Sequence, residues 1–242
     1  MKHDRKTALV FGGARGIGAA IARRLAADGY DIALTYVSRP DKAEAVAAAV
    51  REQGREAVAI EADSADPAAI QGAVELAVSR LGPLDAVVVN AGVLRLGSIE
   101  SFSLEDLNLV LDVNVRGVYL AIQAAVARMR DGGRVVTVGS NTAIRTGSAG
   151  GSAYAMSKAA VASMVKGAAL DLAPRRITVN NIQPGPTETD MTQGMADRLK
   201  EIVPLRRLGD PAELAALVSF LCGPDAGFMT GASVTVDGGY VL

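Results

Sequence analysis

The chain has 242 residues, 50% hydrophobic and 21% charged, with a formal net charge of −1. Such a length and apolar content suit one globular domain with a sizeable core, and the near-neutral balance excludes both a disordered chain and an electrostatic grip on nucleic acid. A single cysteine, Cys222, and a single histidine, His3, exclude an internal disulfide, a Cys/His metal cluster and a His-based triad; Cys222 is expected in the core and His3 in a polar tail.

From the N-terminus, polar residues 1–6 lead into the short apolar run 7–11, which lacks the length and cleavage pattern of a secretory signal. No apolar stretch is read as membrane-spanning, so a cytoplasmic protein without a membrane partner is expected. Short β-rich runs then alternate with Ala-rich amphipathic segments. Strands are expected at 8–11, 31–36, 57–61, 86–89, 134–138, 178–182 and 233–236, and helices at 18–28, 42–53, 67–80, 103–130 and 152–172. Strands such as 86–89 are apolar without alternation, as strands covered by helices on both faces must be. The expected fold is α/β: a doubly wound, parallel, seven-stranded sheet in one Rossmann-type domain spanning 1–242. Residues 183–202, rich in Pro, Gly and Thr, are the least regular stretch and are read as a mobile lid.

After the first strand comes Gly12-Gly13-Ala14-Arg15-Gly16-Ile17-Gly18, followed at once by a helix. Free N–H groups and the positive end of the helix dipole face whatever occupies this loop, which suits a pyrophosphate. Gly12 allows the tight turn, Gly16 a close approach of backbone to phosphate, and Gly18 close packing of helix on strand. At the end of the second strand an acidic side chain would bond a ribose 2′-hydroxyl and repel a 2′-phosphate, but the run Leu34-Thr35-Tyr36-Val37-Ser38-Arg39 has none. With Arg15 and Arg39 as guanidinium partners for a phosphate, the expected cofactor is NADP(H).

Further along, Asp63 and Asp66 compete as the cap of the helix that begins near Pro67, and Asp66 fits better because it directly precedes the proline. Asn114 interrupts a helical pattern, and Ser140 follows Gly139 at a strand end, where a hydroxyl can close a turn. Tyr154 and Lys158 stand four apart in a helix and so share a face. An ammonium beside a phenol favours the phenolate and is expected to pull the phenol pKa down from its usual value near 10, making a proton donor for neutral pH.

Together, Gly12/Gly16/Gly18, Asn90-Ala91-Gly92, Asn114, Ser140, the Tyr154/Lys158 pair, Pro184-Gly185 and the ending 230–239 resemble the short-chain dehydrogenase/reductase family over nearly the whole chain. The segments 207–213 and 184–191 are similar to its 3-oxoacyl-carrier-protein reductase-like branch. The resemblance implies that Tyr154 gives a proton to the substrate carbonyl as hydride arrives from the nicotinamide. Lys158 would tune the phenol and bond the nicotinamide ribose, Ser140 would hold the carbonyl oxygen, and Asn114 would position a water. It also implies cofactor contacts from Ile17, Tyr36, Ser38, Asp63 at the adenine, Asn90, Gly92, Pro184, Gly185, Thr187, and Thr189 at the carboxamide. A small-molecule carbonyl substrate and a homotetramer follow from the same resemblance, the latter matched by apolar residues on more than one face of the helix carrying Val161, Met164, Val165 and Leu170.

Three positions depart from the family pattern: Phe11 in place of Thr, Val89 in place of Asn, and fourteen rather than thirteen residues from Ser140 to Tyr154. Packing is then expected to replace the lost polar braces, and the extra residue falls in loop 144–152, beside the expected substrate site. Val89-Asn90-Ala91-Gly92, the longer spacing and Gln183-Pro184-Gly185-Pro186 are also similar to a sub-branch described as cyclic-di-GMP-binding proteins of biofilm dispersal. The reading is therefore a carbonyl reductase, with a nucleotide-binding regulatory protein as the alternative. Loops 93–98, 144–152 and 183–202 are expected to line the substrate pocket, with Arg95 and Arg145 available to an anion.

Overall fold

The computed structural model describes residues 5–242, so His3 and the first residues of the polar tail lie outside them. Seven strands form one sheet: β1 (Lys6–Phe11), β2 (Tyr30–Tyr36), β3 (Ala57–Glu61), β4 (Leu84–Val89), β5 (Met129–Val138), β6 (Thr178–Pro184) and β7 (Ser233–Val236). Every pairing is parallel and the order is β3-β2-β1-β4-β5-β6-β7. Strand order reverses between β1 and β4, and in such sheets ligands bind beyond the carboxyl ends of the strands at that switch point. The expected doubly wound fold is the one observed.

The helices are α1 (Gly16–Ala27), α2 (Pro40–Glu52), α3 (Pro67–Leu81), α4 (Leu104–Leu111), α5 (Gly117–Val126), α6 (Ser152–Leu172), α7 (Ala196–Ile202) and α8 (Pro211–Cys222). One face of the sheet is covered by a core that includes Ile21, Leu25, Val46, Leu214 and Val218, the other by one that includes Ile70, Val74, Ile122, Val161 and Val165. Cys222 is buried and free, as its type suggested. Phe11 and Val89 are also core residues, so packing does stand where the usual polar side chains would.

Local chemistry sets the helix starts. Asp66 accepts from the Ala68 N–H at 2.8 Å ahead of Pro67, and Asp210 and Glu213 form a reciprocal capping box around Pro211. Asp66→Ala is expected to lower stability by about 1 kcal/mol, measured as a shift of the denaturant midpoint at constant slope.

Two corrections concern the stretch expected as a single helix at 103–130. It is divided by a π-helical turn, Asp112–Arg116, and its last residues, from Met129, belong to β5. The helical run Leu104–Val126, 23 residues long and holding an 18-residue window of mean hydropathy 1.4, also meets the length and composition of a membrane-crossing helix, against the expectation of no such stretch. Here Val118, Ala121, Ile122 and Ala125 bury one side of it in the core. A third correction is α7, which lies within 183–202; that segment is less irregular than its composition implied. α8 was not among the expected elements, because its apolar residues leave little amphipathic contrast.

Candidate active site

The loops after β1, β4, β5 and β6 and the first turns of α6 converge at the carboxyl edge of the sheet. Gly12 (φ 73°) and Gly16 (φ 52°) hold the first loop in left-handed backbone. A Cβ on Gly18 would overlap the Gly12 carbonyl oxygen, so α1 can approach β1 only with glycine there. The loop is braced from two sides: Asn90 Nδ2 donates to the Gly12 carbonyl at 2.8 Å, and the Gly12 N–H donates to Thr35 Oγ1 at 2.9 Å. Thr35 was missed from the sequence; the signal was a hydroxyl directly after the buried apolar run Ile32-Ala33-Leu34. These features fit a dinucleotide, because open backbone donors stand at a helix N-terminus beside a floor that admits no side chain. Ile17 and Gly18 lie in the first turn of α1, Ile17 packed against the core.

Ser140 ends the β5 excursion and caps a 3-10 turn, Asn141–Ala143, accepting from the Thr142 N–H at 3.1 Å and the Thr142 hydroxyl at 2.9 Å. Tyr154 and Lys158 come from the first two turns of α6. The Ser140 hydroxyl bears on the Tyr154 phenol, and Lys158 Nζ lies 5.7 Å from the Tyr154 ring centre. Burial, the larger effect, raises the Tyr154 pKa, while the Ser140 hydroxyl pulls it back. The expected lowering by Lys158 is thus corrected: burial decides the direction, and the effect that opposes it comes from Ser140 and not from Lys158. Burial also pushes Lys158 down to about 8. Its ammonium donates to the Val138 carbonyl at 3.1 Å, which leaves two of its three N–H donors.

Asn114 sits in the π-helical turn, which adds a residue to the helix and so re-aims its side chain. It is fully buried, pairs with Val93 through both amide ends (2.9 Å each), and donates to Ser157 Oγ at 3.1 Å. Ser157 Oγ in turn donates to the Tyr154 carbonyl at 2.7 Å, so one chain of bonds ties Asn114 to the helix of Tyr154 and Lys158. Gly92 lies beside this group; a Cβ there would stand 3.4 Å from both Lys158 Nζ and Asn114 Oδ1.

The adenosine side is less concentrated. Arg39 is closed on Asp41 by two bonds of 3.0 and 2.7 Å, and Arg15 donates to Asp190 at 3.2 Å. Tyr36 is partly buried and Ser38 exposed. Asp63 is exposed at the end of β3 and accepts from the Ala65 N–H at 2.9 Å, leaving the cap to Asp66. Pro184 ends β6; Gly185 abuts Asp237 closely enough to exclude a Cβ; Thr187 Oγ1 donates to the Gly185 carbonyl at 2.9 Å. Thr189 rests on the glycine loop, its Cγ2 standing 3.2 Å from where a Gly16 Cβ would be. Loops 93–98 and 144–152 face a cavity of about 630 Å³ lined by Leu96, Gly97, Ser98, Ile99, Ala149, Gly150 and Ser152. Arg95 is paired with Asp106 at 3.0 Å, and Arg145 donates to the Tyr240 carbonyl at 2.9 Å.

The family model described as Enoyl-(Acyl carrier protein) reductase matches residues 12–241. The cyclic-di-GMP-binding biofilm dispersal mediator protein of Escherichia coli (strain K12) is 40% identical over 97% of both chains. The 3-oxoacyl-acyl-carrier-protein reductase FabG of Staphylococcus aureus (strain Mu50 / ATCC 700699) is 37% identical over 98% of both. Among solved structures, a short chain dehydrogenase from Burkholderia cenocepacia J2315 in complex with NADP superposes with a TM-score of 0.95 at 47% identity, over 98% of each chain.

Proposed function

The chain belongs to the short-chain dehydrogenase/reductase family, and from that premise we propose that it is an NADPH-dependent carbonyl reductase acting on a small ketone, aldehyde or 3-oxoacyl compound. The observation that carries this reading is the meeting of Ser140, Tyr154, Lys158 and Asn114 at the carboxyl edge of the sheet, where Asn114 is tied through Ser157 to the Tyr154 carbonyl, Lys158 Nζ stands 5.7 Å from the Tyr154 ring centre and Ser140 bears on the phenol. Similarity to a chain solved with NADP supports the cofactor.

The nicotinamide, when bound, supplies the hydride. Ser140 accepts from both Thr142 donors, so its own proton is the one it gives, toward the Tyr154 oxygen in the free chain and to the carbonyl oxygen once substrate is in place. Tyr154, with its pKa raised, stays protonated at neutral pH and gives its proton to the developing alkoxide. Lys158 contributes a positive charge at the base of the site and N–H donors for the nicotinamide ribose; Asn114 fixes the loop after β4 against α6. Gly12, Gly16, Gly18 and the first N–H groups of α1 would hold the pyrophosphate, with Asn90, Gly92, Pro184, Gly185, Thr187 and Thr189 along the nicotinamide half. Residues 183–202 act as the substrate lid, and the protein works in the cytoplasm.

Absorbance loss at the reduced nicotinamide band, with NADPH or NADH and a panel of diketones, aldehydes, ketoesters and 3-oxoacyl thioesters, tests the proposal. Turnover with NADPH is expected; its absence across the panel despite NADPH binding would favour the second reading. That reading, a nucleotide-binding regulatory protein in the same crevice, draws on the Escherichia coli relative named for cyclic-di-GMP binding. A sensor has no need of a positioned phenol, which argues against it.

A pH dependence follows from Lys158. Its pKa of about 8 lies below the usual lysine value, so the charge is held at neutral pH and lost as pH rises through about 8, while Tyr154 remains protonated. The kcat/KM of reduction is expected to fall above pH 8; a flat profile to pH 10 would count against a role for the Lys158 charge. The exposed apolar side chains of Tyr119, Met156 and Leu170 give a homotetramer surfaces to bury, and a monomer in sedimentation at micromolar concentration would refute it.

A further inference from the structure

Asp190, in the segment that follows β6, extends to two cations from separate elements. Its Oδ2 accepts from Arg15 Nη1 of the glycine loop at 3.2 Å and from Lys42 Nζ of the first turn of α2 at 3.1 Å. All three side chains are partly exposed, and they wall a cavity of about 650 Å³ together with Ala14, Gly16 and Pro211. The preceding residue, Thr189, touches the same loop at Gly16. The lid thus meets the cofactor loop through two consecutive residues, one by contact and one by charge.

The position of the two cations gives this carboxylate a second meaning. Arg15 ends the first loop and Lys42 opens the helix after β2, so they flank the crevice at the ribose end of an adenosine, where a 2′-phosphate is accommodated. Lys42 did not stand out from the sequence, because a lysine in an Ala-rich helix reads as a solvated charge. A carboxylate between two cations makes the arrangement that a phosphate would make, and Asp190 is accordingly held below the usual carboxylate range by Lys42 and Arg15. A 2′-phosphate carries up to two negative charges, so it and Asp190 repel each other and contend for the same donors.

We propose that Asp190 is a cofactor-specificity residue: its carboxylate competes with the 2′-phosphate for Arg15 and Lys42 and so limits how strongly the chain prefers NADPH over NADH. The proposal rests on the dinucleotide reading of the crevice. Each exposed pair is weak, and releasing two of them amounts to roughly a three- to tenfold change in affinity. Dinucleotide lacking the phosphate leaves both pairs in place and is indifferent to Asp190.

The test is the dissociation constant of NADPH and of NADH, by nicotinamide fluorescence at low salt, for the wild-type chain, Asp190→Asn, Asp190→Ser and Lys42→Gln, with thermal melts to show that each variant is folded. Both Asp190 variants are expected to bind NADPH three- to tenfold more tightly with NADH unchanged, the gain shrinking as salt screens it. Lys42→Gln is expected to weaken NADPH alone. Unchanged or weaker NADPH binding in both Asp190 variants overturns the competition, as does an equal gain for NADH. Failure of the wild-type chain to bind either dinucleotide overturns the underlying dinucleotide reading, a result distinct from the others.

Discussion

Tyr154→Phe is expected to lower kcat for carbonyl reduction by about 10²- to 10⁴-fold, the range that a positioned acid contributes, while leaving NADPH binding within about twofold. The substitution removes one oxygen and no ring atom, so packing in α6 is kept. What is lost is the proton that meets the oxygen as negative charge develops there, together with the hold of the Ser140 hydroxyl on the phenol. Stopped-flow or steady-state absorbance gives the rate, and fluorescence titration gives the binding. Activity retained within tenfold would remove Tyr154 from the acid role and with it the mechanism. The same variant separates chemistry from regulation: a protein whose work is to bind a nucleotide would keep its affinity and show no turnover before or after the change.

The second large effect concerns the floor of the crevice. Gly18→Ala places a methyl group against the Gly12 carbonyl oxygen and 2.6 Å from Asn90 Nδ2, both closer than real Cβ contacts allow. Either α1 moves away from β1 or the Gly12 loop opens, and each breaks the Asn90 to Gly12 bond. The expected loss of stability is about 1–3 kcal/mol, the cost of forcing atoms into a packed site, and dinucleotide binding should fall by at least tenfold. The control is Gly72→Ala in α3, exposed and with open space around the added carbon. There the same chemical change is expected to stabilise by about 0.5–1 kcal/mol, because alanine loses less backbone entropy in a helix. Thermal melts of the two variants with and without NADPH decide the matter; equal effects would show that Gly18 is not the point of contact.

Features governed by local rules were read correctly. Strand β7 and helix α6 match residue for residue, and β3 likewise, because turn residues and caps bracket them. Asp66 was favoured as the cap of α3 over Asp63, and the geometry agrees, since Asp66 alone can reach the N–H groups freed at Pro67. The π-helical turn at Asn114 was not legible: a single extra residue leaves the apolar period of 104–126 intact, and only the docking of Gly117 against the Ser64 carbonyl shows how closely that helix is seated.

Charge pairing was the least legible of all. Arg15, Arg39, Arg95 and Arg145 were each read as available to an anion, and the structure engages all four, with Asp190, Asp41, Asp106 and the Tyr240 carbonyl. Three of those partners are 11 to 175 residues away in the chain, beyond the reach of any local rule. Tyr154 shows the same limit, since its spacing from Lys158 is a property of one helix but its pKa is a property of the enclosure around it.

By itself the sequence determined the alternation of strands and helices, the all-parallel sheet, the glycine loop between β1 and α1, and the pairing of Tyr154 with Lys158 on one helical face. These follow from apolar periodicity, backbone freedom and helical spacing, which act over a few residues. Only the tertiary structure decided that burial would raise Tyr154 and lower Lys158, that Asn114 would lock onto Ser157, and that Asp190 would stand between Arg15 and Lys42. Desolvation and ion pairing depend on which distant segments fold to within a few ångströms, and that distance is set by the packing of the whole sheet and its helices.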